Sequence, residues 1–206
     1  METTQTENIK IRPYRPSDLE SLYKICLLTG DSGKDASDLY KDPKLLGHFY
    51  AAPYAVLEPE LTFIVTLNKQ PSGYILGTRN SEGFRKRSES EWFPNLRQQY
   101  PLPKENDISA DANIIRLIYK GYILKKELAD YPAHLHIDLL PNIQGKGLGK
   151  KVMLTFIDKL RQLKVSALHL EVGKKNLGAI GFYKKMGFHK IIEYAHSIAF
   201  GIILNN

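Results

Sequence analysis

A strand that runs into a glycine-rich turn and out into a helix constrains this chain more than any other feature. The turn is Pro141-Asn-Ile-Gln-Gly-Lys-Gly-Leu-Gly-Lys-Lys151. Ahead of it, His134-Leu-His-Ile-Asp-Leu-Leu140 predicts a buried strand. Behind it, Leu148, Val152, Met153, Phe156, Leu160 and Leu163 recur at helical spacing. The glycines therefore sit where the first N–H groups of a helix lack intrahelical partners. Gly145, Gly147 and Gly149 allow left-handed backbone and close approach of a ligand. Exposed N–H groups and the positive end of a helix dipole suit a pyrophosphate. Lys146, Lys150 and Lys151 add charge at the same mouth.

Two common anion loops do not fit. A P-loop requires Gly-Lys-Ser/Thr after a fixed spacer, and no such triplet closes this stretch. A dinucleotide fingerprint starting at Gly145 would need glycine where Lys150 stands. A glycine-rich helix entry with no ligand remains the plain alternative.

The spacing Gln144-x-x-Gly147-x-Gly149 resembles the acyl-CoA pyrophosphate loop of the GCN5-related N-acetyltransferases, the GNAT superfamily. Asn176-Leu-Gly-Ala-Ile-Gly-Phe-Tyr183-Lys-Lys-Met-Gly187-Phe188 is similar to that superfamily's second signature. Within it, Tyr131 to Pro141, Trp92 to Pro101, and Ala52-Pro-Tyr54 ahead of Glu58-Pro59 resemble the acetyltransferase-like domain attached to O-GlcNAcase and its free-standing microbial relatives. That likeness spans residues 9 to 190.

The resemblance implies an α/β fold of GNAT type, with acetyl-CoA as co-substrate, no metal, and an amine acceptor as the other partner. It implies that the strand before the loop splays from its neighbour and offers backbone at Leu139 and Leu140 to the pantetheine arm. Gln144, Gly145, Lys146, Gly147, Leu148, Gly149 and Lys150 would hold the pyrophosphate. Asn176 would contact the pantetheine, with Ala179, Ile180 and Phe182 as an apolar wall. Tyr183 would protonate the departing thiolate, the alternative being a buried tyrosine with a satisfied hydroxyl. Trp92, Tyr54 and His134 are expected at the acceptor.

For the base, the strand itself supplies candidates. His134, His136 and Asp138 share a face by period two, unless the bulge usual in the superfamily shifts the parity. Imidazole accepts protons at neutral pH, and Asp138 could orient an ammonium and take its proton. Ionisable groups on an apolar strand are costly to bury unpaired; a structural His–Asp hydrogen bond is the competing account. No further ligand set accompanies the histidines, so a metal site is not expected.

The chain of 206 residues, 43% hydrophobic and 25% charged, has the make-up of one globular domain. Residues 9–206 are expected to form it, with 1–8 frayed. Cys26 is the only cysteine, and no signal peptide or long apolar span appears, which points to an intracellular, cytoplasmic or nuclear protein. The net charge of +7 is spread over separate clusters, most of them beside the acyl-CoA motifs. A continuous basic stripe would be needed to favour nucleic acid, so nucleic acid and membrane are not expected partners.

In chain order, Ile9–Arg15 predicts a strand, and Pro16 opens a helix to Leu28. A second helical stretch, 36–50, is interrupted at Pro43. Leu61–Leu67 and Gly73–Thr78 predict paired strands joined at Asn68–Ser72. Residues 80–132 form an insertion before the central strand, helical over Glu82–Gln99 and a strand over Asn113–Tyr119; it suits a lid or acceptor pocket, or a flap extending the sheet. Ala167–Val172 predicts a buried strand, Asn176–Gly187 a short helix, and Ile191–Ala195 and Ser197–Leu204 closing strands. The whole is a mixed, mostly antiparallel sheet with helices on both faces. An acetyl-CoA-dependent N-acetyltransferase follows, with a catalytically silent acetyl-CoA-binding or protein-interaction module as the other reading. The acceptor (a histone-like tail, an amino sugar, a free polyamine or amino acid) and the choice of monomer or homodimer stay open; an edge formed by the last strand could pair two chains.

Overall fold

A computed structural model describes residues 8–204. Its strands are β1 (Ile9–Pro13), β2 (Thr62–Leu67), β3 (Gln70–Thr78), β4 (Ala133–Leu139), β5 (Ala167–Gly173), β6 (His189–Glu193) and β7 (Ser197–Ile203). They form one seven-stranded sheet in the order β1-β2-β3-β4-β5-β7-β6. Only β4 and β5 run parallel; the other pairs are antiparallel. The last strand is therefore internal: β6 and β1 are the edges, which corrects the expectation that the final strand lies at an edge.

β2 and β3 meet in a two-residue turn at Asn68 and Lys69, both with positive φ. That is tighter than the loop expected from sequence, because Pro71 hides a strand start. Pro71 has no N–H to donate, and it pairs with Thr66 where the register shifts. Of the segment 1–8 expected to be frayed, residues 1–7 lie outside the described residues, whereas Asn8 is tied to Asn68 by its N–H and its carbonyl.

Helices cover both faces. On one lie α7 (Leu148–Gln162) and α8 (Leu177–Lys185); Val152, Met153, Phe156 and Leu160 meet Leu135, Leu168 and Leu170 from the sheet. On the other lie α1 (Leu19–Thr29), α2 (Leu45–Tyr50), α3 (Ala52–Leu57), α4 (Ser81–Arg87), α5 (Phe93–Gln99) and α6 (Ala110–Lys120). Leu22, Ile25, Phe49, Tyr54, Phe84 and Phe93 form the second core there against Ile64, Tyr74 and Leu76. Gly77 is required where β3 meets β4, since a Cβ would come within 2.2 Å of the His134 carbonyl.

The insertion 80–132 adds no strand to the sheet. Residues 81–99 are helical as expected, through a π-helical stretch at Ser88–Trp92. Asn113–Tyr119, read from sequence as a strand, lies inside the helix α6. Its isoleucines suggested β structure, but the caps outside the window decide. Ser109 Oγ accepts from the Ala112 N–H at 3.1 Å, and Gly121 ends the helix at φ +69°. Ile114 and Ile118, four apart, are the buried face.

Candidate active site

The site is built on β4. Its ladder with β3 runs unshifted from Gly73↔Leu139 to Thr78↔His134, so His134, His136 and Asp138 do share one face. Leu135, Ile137 and Leu139 alternate onto the opposite face, against the core beneath α7. Pairing with β5 is confined to Ala133↔Leu168 and His134↔His169. Beyond these the parallel strands part, and the last residues of β4 face a gap. The Leu140 N–H bonds to Ser72 on the β3 side. Alternation along the ladder then turns the peptide groups of Ile137 and Leu139 into the gap. Of the expected pair Leu139 and Leu140, only Leu139 faces it. Its carbonyl already accepts from Gln144 Nε2 at 2.7 Å.

The glycine turn follows. Gly145 and Gly147 have φ +74° and +73°, a region that L side chains rarely adopt, and Gly147 caps α7 in the left-handed conformation. No side chain caps this helix start. The first-turn N–H groups of Leu148, Gly149 and Lys150 have no acceptor one helical turn earlier. A Cβ on Gly149 would come within 3.3 Å of Phe182. Among the described residues the loop is thus a concave cradle of uncapped helix-start N–H groups, suited to an oxyanion and walled by a phenyl ring.

Beside it opens a cavity of about 720 Å³. Its walls include Gln144, Gly145, Gly147, Gly149 and Lys150 from the turn, and Asn176, Ala179, Phe182 and Tyr183 from α8 and its cap. The remaining wall holds Ile137, Asp138 and Leu139, with Thr29 from the end of α1 and Ser32 and Gly33 just after it. Most of the expected cofactor residues are therefore brought together. Leu148 is buried beneath the turn and Lys146 lies outside the wall. Ile180 packs on the core. Asn176 spends its carbonyl oxygen capping α8 at the Ala179 N–H, 3.1 Å, so its amide NH₂ is the group left to donate.

Asp138 and Tyr183 meet here. Asp138 Oδ2 accepts from the Tyr74 hydroxyl at 2.5 Å. Burial lifts its carboxyl to about 6, against the Tyr74 hydrogen bond, which lowers it. Burial, then the nearby Asp138 charge, push the Tyr183 phenol up, so it holds its proton at neutral pH. The Tyr183 hydroxyl has no hydrogen-bond partner among the described residues, yet it is not sealed from solvent. Tyr74 was not expected at the site. The signal for it was register alone: it stands opposite Asp138 on β3.

A second cavity, about 860 Å³, borders β4 just before the first. His136, His134 and Tyr54 line it, with Tyr50 and Tyr122. The insertion closes it through Asn80–Glu82 and Tyr122–Pro132. Tyr54 and His134, expected at the acceptor, are both here. Trp92 is not; its indole N–H donates to the His48 carbonyl at 2.9 Å, away from both cavities. Burial holds His134 well below the usual histidine range and His136 down to about 4, with neighbouring imidazoles adding to it. No cluster of side chains able to hold a metal ion occurs among the described residues.

The model of the acetyltransferase (GNAT) family matches residues 31–188. The chain belongs to this family. The GNAT resemblance read from the two motifs is thereby borne out, and the expected likeness to O-GlcNAcase is found as well. Protein O-GlcNAcase of Rattus norvegicus and of Mus musculus is 25% identical over 186 residues, 89% of this chain. This GNAT chain spans only 20% of those relatives' length. Among solved structures, SsHAT superposes with a TM-score of 0.91 at 37% identity, over 97% of this chain and 100% of that one. The putative acetyltransferase yncA from Salmonella typhimurium, solved with acetyl-CoA, shares the fold: TM-score 0.58, 14% identity, 97% and 95% of the two chains. No helix among the described residues is long and apolar enough to cross a membrane.

Proposed function

We propose that this chain is an acetyl-CoA-dependent N-acetyltransferase acting on a primary amine. The observation that carries the reading is that a carboxyl and a protonated phenol, Asp138 and Tyr183, line the same cavity as the glycine cradle of α7. Acetyl-CoA supplies the activated acetyl group as a thioester. The residues present fit it: bare N–H groups and Lys150 for the pyrophosphate, the gap-facing edge of Ile137 and Leu139 for the pantetheine amides, and Phe182 and Ala179 as the apolar wall.

Asp138 orients the amine and accepts the proton it sheds on attack. Tyr183 donates its proton to the sulfur as the C–S bond breaks. In one turnover an N–H and a C–S bond break, and a C–N and an S–H bond form. Exchange with water returns the proton from Asp138 to Tyr183. A carboxyl poised near 6 is ionised at neutral pH and still basic enough to assist. Tyr54 and His134 belong to the acceptor side; Trp92 supports the insertion instead.

A panel of primary amines with acetyl-CoA, read as free thiol, tests the reading. Amine-dependent thiol release with acetylated product supports it. Acetyl-CoA binding with no amine-dependent release overturns it in favour of a silent acetyl-CoA-binding module.

A further inference from the structure

The histidines and tyrosine of the second cavity form a hydrogen-bonded chain whose proton positions can be counted. Ser81 Oγ lies 2.8 Å from the Pro132 carbonyl and 2.7 Å from His134 Nδ1. The Pro132 carbonyl also takes the Ser81 N–H at 2.8 Å; because a carbonyl only accepts, and two oxygens at 2.8 Å repel unless a proton lies between them, the one Ser81 hydroxyl proton goes to Pro132. His134 Nδ1 must then carry a proton and donate it to Ser81 Oγ. In a neutral imidazole this leaves His134 Nε2 bare, and it lies 2.8 Å from the Tyr54 hydroxyl. Tyr54 therefore donates to His134. The remaining contact, His136 Nε2 to the Tyr54 oxygen at 3.3 Å, is attractive only if His136 Nε2 carries the proton. Burial keeps both rings neutral, as the count requires.

His136 Nδ1 is then an unprotonated lone pair. It has no partner among the described residues, yet it is not sealed from solvent, and His136 lines the cavity. The two carboxylates on the cavity wall are engaged elsewhere: Glu171 with Lys125 at 2.7 Å and Glu82 with Lys86 at 2.8 Å. The bare imidazole nitrogen is left as a hydrogen-bond acceptor two residues from Asp138.

We infer that Ser81 is a positioning residue: acting through His134 and Tyr54, it fixes His136 with a bare Nδ1 that accepts an N–H of the acceptor amine. The inference rests on the acetyltransferase reading only for the role of the amine; the tautomer stands without it. Removing the Ser81 hydroxyl lets the chain invert. His134 can then donate through Nε2 to Tyr54, Tyr54 donates to His136 Nε2, and His136 Nδ1 becomes a donor facing an amine that is also a donor.

Nitrogen NMR of ring-labelled histidine at neutral pH reads this directly. The expected result is an unprotonated His136 Nδ1 in the parent, a shift to the protonated position in Ser81→Ala, and recovery in Ser81→Thr. Titration with benzylamine is expected to move the Nδ1 resonance in the parent and not in Ser81→Ala. Should Ser81→Ala fold poorly, Tyr54→Phe cuts the same chain and is expected to mix the tautomers. A protonated Nδ1 in the parent, a bare one persisting in a folded variant, or no response to benzylamine overturns the inference. Acetyl-CoA affinity, expected equal in parent and Ser81→Ala, is measured alongside; its absence from the parent counts against the proposed function and leaves the tautomer result to be judged on its own.

Discussion

At the scale of single residues, Asp138 is the group whose behaviour is most constrained. A carboxyl raised from 3.8 to about 6 is one that folding holds back from ionising. Its contribution to stability is fully present below pH 3.8 and lost as pH rises through about 6. At about 1.4 kcal/mol per unit the cost above pH 6 is at most roughly 3 kcal/mol, and less because the carboxylate borders an open cavity. Asp138→Asn keeps an acceptor for Tyr74 and has no charge to hold. Denaturant melts at pH about 8 should therefore show it at least as stable as the parent, the advantage vanishing near pH 4. Its kcat/KM for amine should fall, the deficit narrowing as pH rises and more amine is already neutral. Equal rates at every pH would move the base elsewhere. Tyr183→Phe removes only a hydroxyl with no partner among the described residues, so acetyl-CoA affinity should hold while kcat drops roughly 10²-fold; an unchanged kcat would assign the ring to packing. Both residues stood out in the sequence, one as a charge in an apolar strand and the other inside a motif. Tyr74 and Ser81 did not, because each matters through a partner more than fifty residues away.

At the scale of elements, the strand-turn-helix from β4 to α7 was legible because glycine, apolar alternation and helical period change over within a few residues. Its fine structure was not. Which peptide groups face the gap depends on the pairing with β3, and that excludes Leu140. The insertion was readable as helix where aromatic spacing was long enough, and misread at α6, where a short isoleucine-rich window outweighed caps lying just beyond it. Two outcomes follow at this scale. Gly147→Val forces a β-branched residue into φ +73°, so it should weaken acetyl-CoA binding at least tenfold by calorimetry while the far-UV spectrum is kept. Undiminished affinity would remove the turn from the cofactor site. The imidazoles His134, His136 and His169 are depressed by burial, so their stabilising effect is present above pH 6.5 and lost as pH falls towards about 4, the value for His136. Asp138 and Glu58, both raised by burial, pull the opposite way over part of that range, but His48 is lowered by burial as well, and Asp18, held down by its hydrogen bond to Arg12, loses that partner's support as pH falls. Net stability from urea melts should therefore decline from pH 6.5 to pH 4; a flat profile would mean that the imidazoles are hydrated.

At the scale of the whole molecule, the sheet opens only where its single parallel pair separates, and both cavities meet β4 there. The net charge of +7 is consistent with a polyanionic cofactor, with Lys150 and Lys185 on the first cavity's wall. The acceptor was not legible in the sequence, because the cavity proposed for it is assembled from the insertion, α2, α3, β4 and β5, whose contributions converge only in the fold. Relatives in which this region is one-fifth of a longer protein place the same scaffold in other company. The central claim is transfer itself, and the most direct measurement follows both products of one reaction. Parent protein is incubated with acetyl-CoA and a panel of primary amines, and free thiol and acetylated amine are quantified together. The account predicts thiol and acetylated amine in equal amounts for at least one amine, with Tyr183→Phe reduced roughly 10²-fold in the same assay. Thiol release no faster than without amine, in protein shown by calorimetry to bind acetyl-CoA, would contradict it.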